Sequence, residues 1–181
     1  WYLIDHGGSI ELGNLALINN FYGGLDEEGF VLPHVVIEAK AAPIVKKVPE
    51  IQMAVLQDDP KIVQNCLEVI ASAQADMLAT LKRIPENCDP YIFFHRVRPF
   101  IHGWDRRPLL YEGVEEYNGQ PQRFRGETGA QSSIIPMLDA LLSITHLPNE
   151  LTHYLEDMLK YMPPNHRKFV IVINDREITA F

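Results

Sequence analysis

Phe94 and Arg98 lie four residues apart in a segment, residues 91–104, that holds five aromatic side chains. On a helix this spacing places the ring and the guanidinium on the same face. Arginine pairs bidentately with a carboxylate, and rings that exclude water strengthen such a pair, so these side chains could hold an aromatic amino acid. The alternative is a core helix in which Arg98 caps the last carbonyl groups. Because Pro99 disfavours helical dihedral angles at Arg98, we expect that side chain to leave the helix end at an angle.

Phe30, His34 and Glu38 form a second set at helical spacing. If the segment is a helix, the three residues line one face in the order aromatic ring, imidazole and carboxylate. The competing interpretation is a helix boundary near Pro33 with His34 in the capping region, and the residues alone leave both open.

A loop rich in small residues, 125–136, precedes a helical segment. Small residues let the backbone approach a ligand closely, and hydroxyl and N–H groups ahead of a helix can receive an anionic group. The loop lacks the GxxxxGK[ST] and GxGxxG patterns, which argues against a nucleotide site. A plain N-capped loop is the alternative.

The histidines do not have the spacing of a metal site. No HExxH or HxH pair is present, and a helix joining His95 to His102 would have to continue through Pro99. A lone histidine is more often a surface or hydrogen-bonded residue than a ligand, and this reading applies to His6, His146 and His153.

Two segments have the apolar periodicity of amphipathic helices. From 61 to 84 apolar residues recur mostly every three or four positions, and Asp59 before Pro60 supplies an N-cap and a proline at the first helical position. The second helix covers 149–162 and is stopped by two successive prolines. Both should pack one face on a core.

Weaker patterns predict helices at 10–21, 30–45, 90–97 and 130–145. Residues 103–129 contain five glycines and few periodic positions, which predicts a long loop. Loops of this length inside a compact domain more often have a function than none. Residues 169–173 could form a strand or a helix. Strands do not alternate with helices, and the sequence predicts an all-α fold with long loops.

The composition excludes several classes of protein. The chain has 181 residues, 46% of them hydrophobic, which is the composition of a soluble globular domain and allows a core large enough for a cofactor. Lys and Arg number 16 against 24 Asp and Glu, a net charge of −8, which argues against a nucleic-acid or anionic-membrane partner. Two cysteines make no disulfide framework, and no stretch is long enough to span a membrane, so we expect a cytoplasmic protein.

Taken together, these segments resemble the indoleamine 2,3-dioxygenase family, haem enzymes that open the indole ring of tryptophan. The resemblance extends more weakly to Trp1 and to Gly29-Phe30 with Glu38, so it covers essentially the whole chain. It rests on four motifs in matching order, Phe93-Phe94-x-x-x-Arg98, Gly103-Trp104, Thr128-Gly129-Ala130-Gln131-Ser132-Ser133 and Tyr161-Met162-Pro163-Pro164-Asn165-His166-Arg167.

The resemblance implies a helical domain that encloses haem b, with L-tryptophan and O2 on the distal side of the iron. Phe30, Phe93 and Phe94 would line the distal pocket, and Arg98 would pair with the substrate carboxylate. The small-residue loop would close over haem and substrate. Phe94, Thr128, Gly129 and Ala130 are the residues expected to contact the haem, and Thr128 and Gly129 also the substrate.

His34 departs from the mammalian members, which carry serine at this position. The related tryptophan 2,3-dioxygenases have a pocket histidine in a similar Phe-x-x-x-His-x-x-x-Glu arrangement, which Phe30, His34 and Glu38 reproduce. The resemblance therefore predicts that His34, as a catalytic-site residue, hydrogen-bonds the indole N–H and tightens selection against N-methylated indoles.

The histidine that ligates the iron in this family lies further toward the C-terminus than any matched motif. We expect it beyond Phe181, because His166 matches a family position that is not the iron ligand. Trp1 matches a position beyond the small N-terminal domain of the family. Residues 1–181 are thus expected to be part of the large helical catalytic domain, and the complete gene product to be longer.

The resemblance predicts a dioxygenase that converts L-tryptophan to N-formylkynurenine, the first step of the kynurenine pathway. A non-catalytic helical protein that binds haem or an indole, such as a sensor, is the second hypothesis. A structural helical domain in which these motifs only pack is the third.

Overall fold

The computed structural model describes residues 1–175, and helices form most of the regular structure there. Two short strands, β1 (Tyr2–Leu3) and β2 (Leu15–Ala16), pair in antiparallel register near the N-terminus. The all-α fold class is confirmed. The helices are α1 (Leu25–Lys40), α2 (Ala42–Leu56), α3 (Pro60–Leu81), α4 (Pro90–Ile92), α5 (Ile134–Leu141), α6 (Glu150–Leu159) and α7 (Pro164–Asp175).

The main core forms between α2, α3, α5 and α7. Ile44, Val48 and Ile51 recur at helical spacing along one face of α2 and are buried against Cys66 and Ile70 of α3. The apolar faces of α5 and α7 complete the same cluster with Met137, Leu138, Leu141, Val170 and Ile173.

α3 confirms the helix expected at 61–84. The Asp59 carboxylate accepts hydrogen bonds from the backbone N–H groups of Lys61 and Ile62, both at 3.1 Å, and Pro60 occupies the first helical position. The helix ends at Leu81, and a 3-10 turn at Ile84–Glu86 follows. The N-cap therefore fixes where the longest helix of the chain begins.

The helix expected at 30–45 is two helices. α1 begins five residues earlier, because the acidic side chains of its first turn favour a helix N-terminus, and it continues through Pro33 to Lys40. The interpretation of a helix boundary near Pro33 is therefore wrong. α2 follows almost at once, and the sequence did not predict most of its length because it contains Pro43 and Pro49.

The helix expected at 10–21 is wrong. Asn14 holds this segment in a turn, since its side chain accepts a hydrogen bond from the N–H of Asp5 and donates to the carbonyl oxygens of Asp5 and Ser9. Local side-chain hydrogen bonds of this kind compete with helix formation. Leu15 of β2 is buried against Leu32 and Val36 of α1, so the apolar residues serve a core without a helix.

The segment expected as one helix at 90–97 changes pitch along its length. Asp89 caps α4 through the N–H groups of Tyr91 and Ile92, as expected. A π-helical turn at Phe93–Val97 and a 3-10 turn at Arg98–Ile101 then follow.

Residues 103–129 form no long helix, as expected for a loop, and the two halves of this segment run antiparallel to each other. Isolated antiparallel bridges join Gly103 to Arg125 and Leu109 to Gln122, and a 3-10 turn at Glu115–Tyr117 lies between them. The rings of Trp104, Tyr111, Tyr117 and Phe124 pack together with centroid distances of 5.5–6.3 Å. The loop is therefore an ordered element around an aromatic cluster.

The C-terminal helices largely match expectation. The helix expected at 130–145 is a 3-10 turn at Gly129–Gln131 followed by α5. Asn149 and Thr152 form a capping box at the start of α6, which ends at Leu159, and α7 shows that residues 169–173 are helical. None of the helices described in residues 1–175 is both long and apolar enough to cross a membrane.

Candidate functional site

A cavity of about 460 Å³, hereafter the slot, lies between α1, the turn at Arg98–Ile101 and the loop 127–132. Its apolar walls include Phe21, Phe30, Val31, Val97 and Ile101, and polar and charged side chains lie among them. Cavities of this size with mostly apolar walls and a few convergent polar groups are typical of small-molecule sites. The predicted site residues that line the slot are Phe30, His34, Arg98, Thr128 and Gly129.

α1 positions Phe30, His34 and Glu38 along the slot, as their spacing predicts for an unbroken helix. His34 is half-buried, and its Nδ1 lies 2.7 Å from the carbonyl oxygen of Phe30. A carbonyl oxygen only accepts, so Nδ1 carries the proton and donates. In the neutral imidazole Nε2 then has a lone pair, which makes it a hydrogen-bond acceptor.

Phe93 does not line the slot but packs against Phe30, which does. Its ring is partly buried, and its centroid lies 4.3 Å from that of Phe30, so the two rings pack as a tilted pair. Phe94, the next residue, is 65% exposed, packs edge-on against His95 and does not line the slot. The structure thus separates these two phenylalanines, and the substrate and haem contacts expected for Phe94 stay a prediction.

Arg98 reaches the rim of the slot from the π-helical turn. Its N–H bonds to the carbonyl of Phe93, five residues earlier, and its dihedral angles, φ −51° and ψ −38°, are helical. The expectation that Pro99 removes Arg98 from helical geometry is wrong. A proline ring clashes with the carbonyl four residues before it in a regular α-helix, and the wider π turn gives this ring room.

Two glycines bring the small-residue loop against the segment that carries Arg98. Gly103, at φ +76°, bridges to Arg125, and a Cβ atom at Gly126 would overlap the carbonyl oxygen of Ile101. Only a residue without a side chain permits this approach of two backbones. The contact sets the distance between Arg98 and the loop.

The loop itself is capped and also lines the slot, and its contact with a ligand stays a prediction. The Thr128 hydroxyl accepts a hydrogen bond from the N–H of Ala130 at 3.3 Å, and the Gln131 amide donates to the carbonyl of Gly126 at 3.1 Å. A Cβ atom at Gly129 would meet nothing within 4 Å, so open space adjoins the loop. Ala130 does not line the slot, and its expected haem contact stays a prediction.

A second cavity of about 190 Å³, hereafter the polar pocket, adjoins the slot. Arg98, Ile101, Glu127 and Thr128 line both cavities. In the polar pocket Arg125 forms ion pairs at 3.4 Å with Asp105 and with Asp157, and its guanidinium lies over the ring of Tyr154. The site therefore has an apolar and a charged compartment that meet at Arg98.

Glu27 was missed by the sequence analysis. Its side chain, in a residue only 2% exposed, accepts hydrogen bonds of 2.8–2.9 Å from the backbone N–H groups of Phe21, Tyr22 and Gly23. Burial raises the pKa of Glu27, but these three hydrogen bonds outweigh it and leave the pKa below its ordinary value. Glu27 thus holds the segment that places Phe21 over the slot, and no sequence signal distinguishes it from its acidic neighbours.

The other histidines are not part of the slot. His166 of α7 lies 3.4 Å from the hydroxyl of Ser133 and lines a separate apolar cavity with Phe169. In residues 1–175 no three histidine, cysteine or acidic side chains group as a metal site. A haem iron takes a single protein ligand on its proximal side, so this finding does not bear on haem.

Fold and site define a helical protein with a ring-lined slot and an arginine at its rim. The chain belongs to the indoleamine 2,3-dioxygenase family, since the model of the family described as "Indoleamine 2,3-dioxygenase" matches residues 1–180. The resemblance seen in the sequence is therefore confirmed.

Curated relatives extend this finding. The chain is 36% identical over 177 residues to indoleamine 2,3-dioxygenase 1 of Rattus norvegicus and 33% identical over 175 residues to indoleamine 2,3-dioxygenase 2 of Homo sapiens. Each alignment covers 94% of this chain, and 43% and 42% of the respective relative. A protein named myoglobin from Haliotis madaka is 31% identical over 170 residues, 89% of this chain and 43% of that protein. The chain thus spans less than half the length of the relatives it matches.

Proposed function

We propose that the full-length protein is a haem-dependent dioxygenase that inserts O2 across the indole C2–C3 bond of L-tryptophan to give N-formylkynurenine. The observation that carries the proposal is the slot, one cavity that Phe30, His34 and Arg98 line together. Membership of a family whose named relatives are indoleamine dioxygenases supports the same reaction.

The slot suits an indole amino acid. Phe30, held from outside the slot by Phe93 at 4.3 Å, offers an apolar ring from which an aromatic substrate displaces water. His34 Nε2 accepts the hydrogen bond of the indole N–H, because Nδ1 is already committed to the Phe30 carbonyl. Arg98 pairs with the substrate carboxylate at the rim, where the apolar walls reduce the competition from water.

The residues present fit one side of a planar apolar group such as haem. The slot is apolar, Gly129 leaves open space beside it, and Thr128 and Gly129 bring backbone rather than bulky side chains to its edge. When bound, haem b supplies the ferrous iron that activates O2. The histidine that would ligate its iron is proposed to lie outside residues 1–181, as the family pattern implies.

In the proposed reaction the role of residues 1–175 is to orient the substrate and to select it. Arg98 and His34 contact opposite ends of the substrate, so together they fix which bond of the indole is presented for reaction. The rings keep bulk water from the reacting carbons. Gly126 and Gln131 keep the loop in place beside Thr128.

A second candidate is a haem protein that binds O2 without oxidising tryptophan. The similarity to a protein named myoglobin favours it, because a member of the same sequence family carries that name. This candidate would retain the haem environment and lack turnover.

Product analysis with the full-length, haem-loaded protein separates the candidates. We expect N-formylkynurenine to form from L-tryptophan in the presence of O2 and a reductant. A haem Soret band with reversible O2 binding and no product would select the second candidate. Failure of the full-length protein to take up haem would refute both.

A further inference from the structure

Two charged side chains of opposite sign stand where the slot meets the polar pocket. Arg98 and Glu127 are the charged members of the four residues that line both cavities. Both are exposed rather than buried in the protein interior, so a ligand that enters from solvent can reach them.

In residues 1–175 neither Arg98 nor Glu127 forms an ion pair or a side-chain hydrogen bond. The neighbouring charges differ in this respect. Arg125 is paired with Asp105 and Asp157, and the Glu27 carboxylate is committed to three backbone N–H groups.

Glu38 is the competing carboxylate. It lines the slot one helical turn beyond His34, but it does not line the polar pocket that Arg98 shares. A group attached to the same carbon atom as a carboxylate held by Arg98 must lie near that carboxylate. Glu127, on the loop facing Arg98, has this position and Glu38 does not.

We propose that Glu127 binds the α-ammonium group of the substrate while Arg98 binds its carboxylate, so that Glu127 determines selection for a zwitterionic amino acid. The inference rests on the proposed function and adds to it the residue that distinguishes an amino acid from a simple indole acid. An α-ammonium group donates three hydrogen bonds and carries the charge that complements a carboxylate.

The arrangement also has a stereochemical consequence. The slot holds the side chain of the substrate, Arg98 its carboxylate and Glu127 its ammonium group, so three different substituents of the α-carbon are fixed. Exchange of two substituents in the other enantiomer then costs at least one of these contacts. Glu127 therefore contributes to discrimination between L- and D-tryptophan.

Equilibrium binding tests the proposal without turnover. Calorimetry would measure dissociation constants of the full-length, ferric, haem-loaded protein for L-tryptophan, D-tryptophan and indole-3-propionate, which lacks the ammonium group. The variants are Glu127→Gln, which removes the charge and keeps the shape, Glu38→Gln for the competing carboxylate, and Glu112→Gln as an exposed control in the same long loop.

We expect Glu127→Gln to weaken L-tryptophan binding about three- to tenfold, to leave indole-3-propionate binding unchanged or stronger, and to bring the affinities of the two enantiomers closer. Glu38→Gln and Glu112→Gln should change none of these ratios. An equal loss for all three ligands, no loss, or a selective loss in Glu38→Gln instead would overturn the proposal. If the unmodified protein bound no indole ligand, the proposed function itself would fail, a result distinct from these.

Discussion

The carbonyl oxygen of Phe30 accepts a hydrogen bond from Nδ1 of His34 at 2.7 Å, and the two rings lie 4.7 Å apart. One turn of α1 therefore sets both the orientation of the imidazole and its tautomer. Because the bond is to backbone, a substitution at position 30 that preserves the helix leaves it in place. The slot thus has a hydrogen-bond acceptor of fixed direction beside an aromatic wall.

Replacing His34 tests this acceptor. We expect His34→Ala to lower the preference for L-tryptophan over 1-methyltryptophan, measured as the ratio of kcat/KM values, by about fivefold, since a lost hydrogen bond is worth on the order of 1 kcal/mol. His95→Ala is the matched control, because His95 is exposed and lies outside the slot. An unchanged ratio in His34→Ala would remove the assigned role.

Replacing Arg98 tests the carboxylate contact. Arg98→Ala should lower kcat/KM for L-tryptophan by an amount equivalent to about 2–4 kcal/mol of transition-state stabilisation, because the bidentate partner of the carboxylate is lost. Binding of tryptamine, which has no carboxylate, should change little. Arg107→Ala, an exposed arginine that lines neither cavity, serves as the control. A loss below about tenfold, roughly 1.4 kcal/mol, would count against the contact.

We expect the hydrogen-bonded carboxylate of Glu27 to make the free energy of unfolding depend on pH. Because its folded pKa lies below the ordinary value of 4.5, the carboxylate stabilises the fold above that pH, and the contribution is lost as the pH falls through the folded pKa. Glu27→Gln should lower the free energy of unfolding by about 1–3 kcal/mol near neutral pH, and this difference should shrink below pH 4.5.

Urea unfolding of the full-length protein at several pH values would measure the effect of Glu27→Gln. Glu28→Gln is the control, since Glu28 lies in the same turn and forms no side-chain hydrogen bond with residues 1–175. A difference between Glu27→Gln and the unmodified protein that stays constant down to acidic pH would contradict the role of the charge.

The backbone packed against Gly126 leaves no room for a side chain at this position. Gly126→Ala places a Cβ atom against the carbonyl oxygen of Ile101 and the backbone of His102, so we expect a loss of about 1–3 kcal/mol in the free energy of unfolding and weaker L-tryptophan binding. Gly7→Ala meets only an ordinary contact at 3.5 Å and should change stability by less than about 0.5 kcal/mol. Equal effects of the two substitutions would show that the close approach is dispensable.

Sequence patterns predicted elements where local signals and tertiary packing agree. Asp59 before Pro60 located α3, because a cap acts within one turn of its own residue, and the apolar stripe of residues 149–162 located α6. The pattern failed at residues 10–21, where Asn14 bonds to Asp5, nine residues away. It also failed for α2, whose buried face stabilises a helix despite its prolines.

The amino-acid sequence by itself determined the helical class, the family motifs and the residues that we propose to bind an indole amino acid, since these depend on residue type and short spacing. Only the tertiary structure decided which of them share a cavity. Phe93 and Phe94 are neighbours in the chain yet have different surroundings, because successive side chains on a helical turn leave the axis in different directions. Arg98 and Glu127, 29 positions apart, come together because Gly103 and Gly126 let two backbones touch.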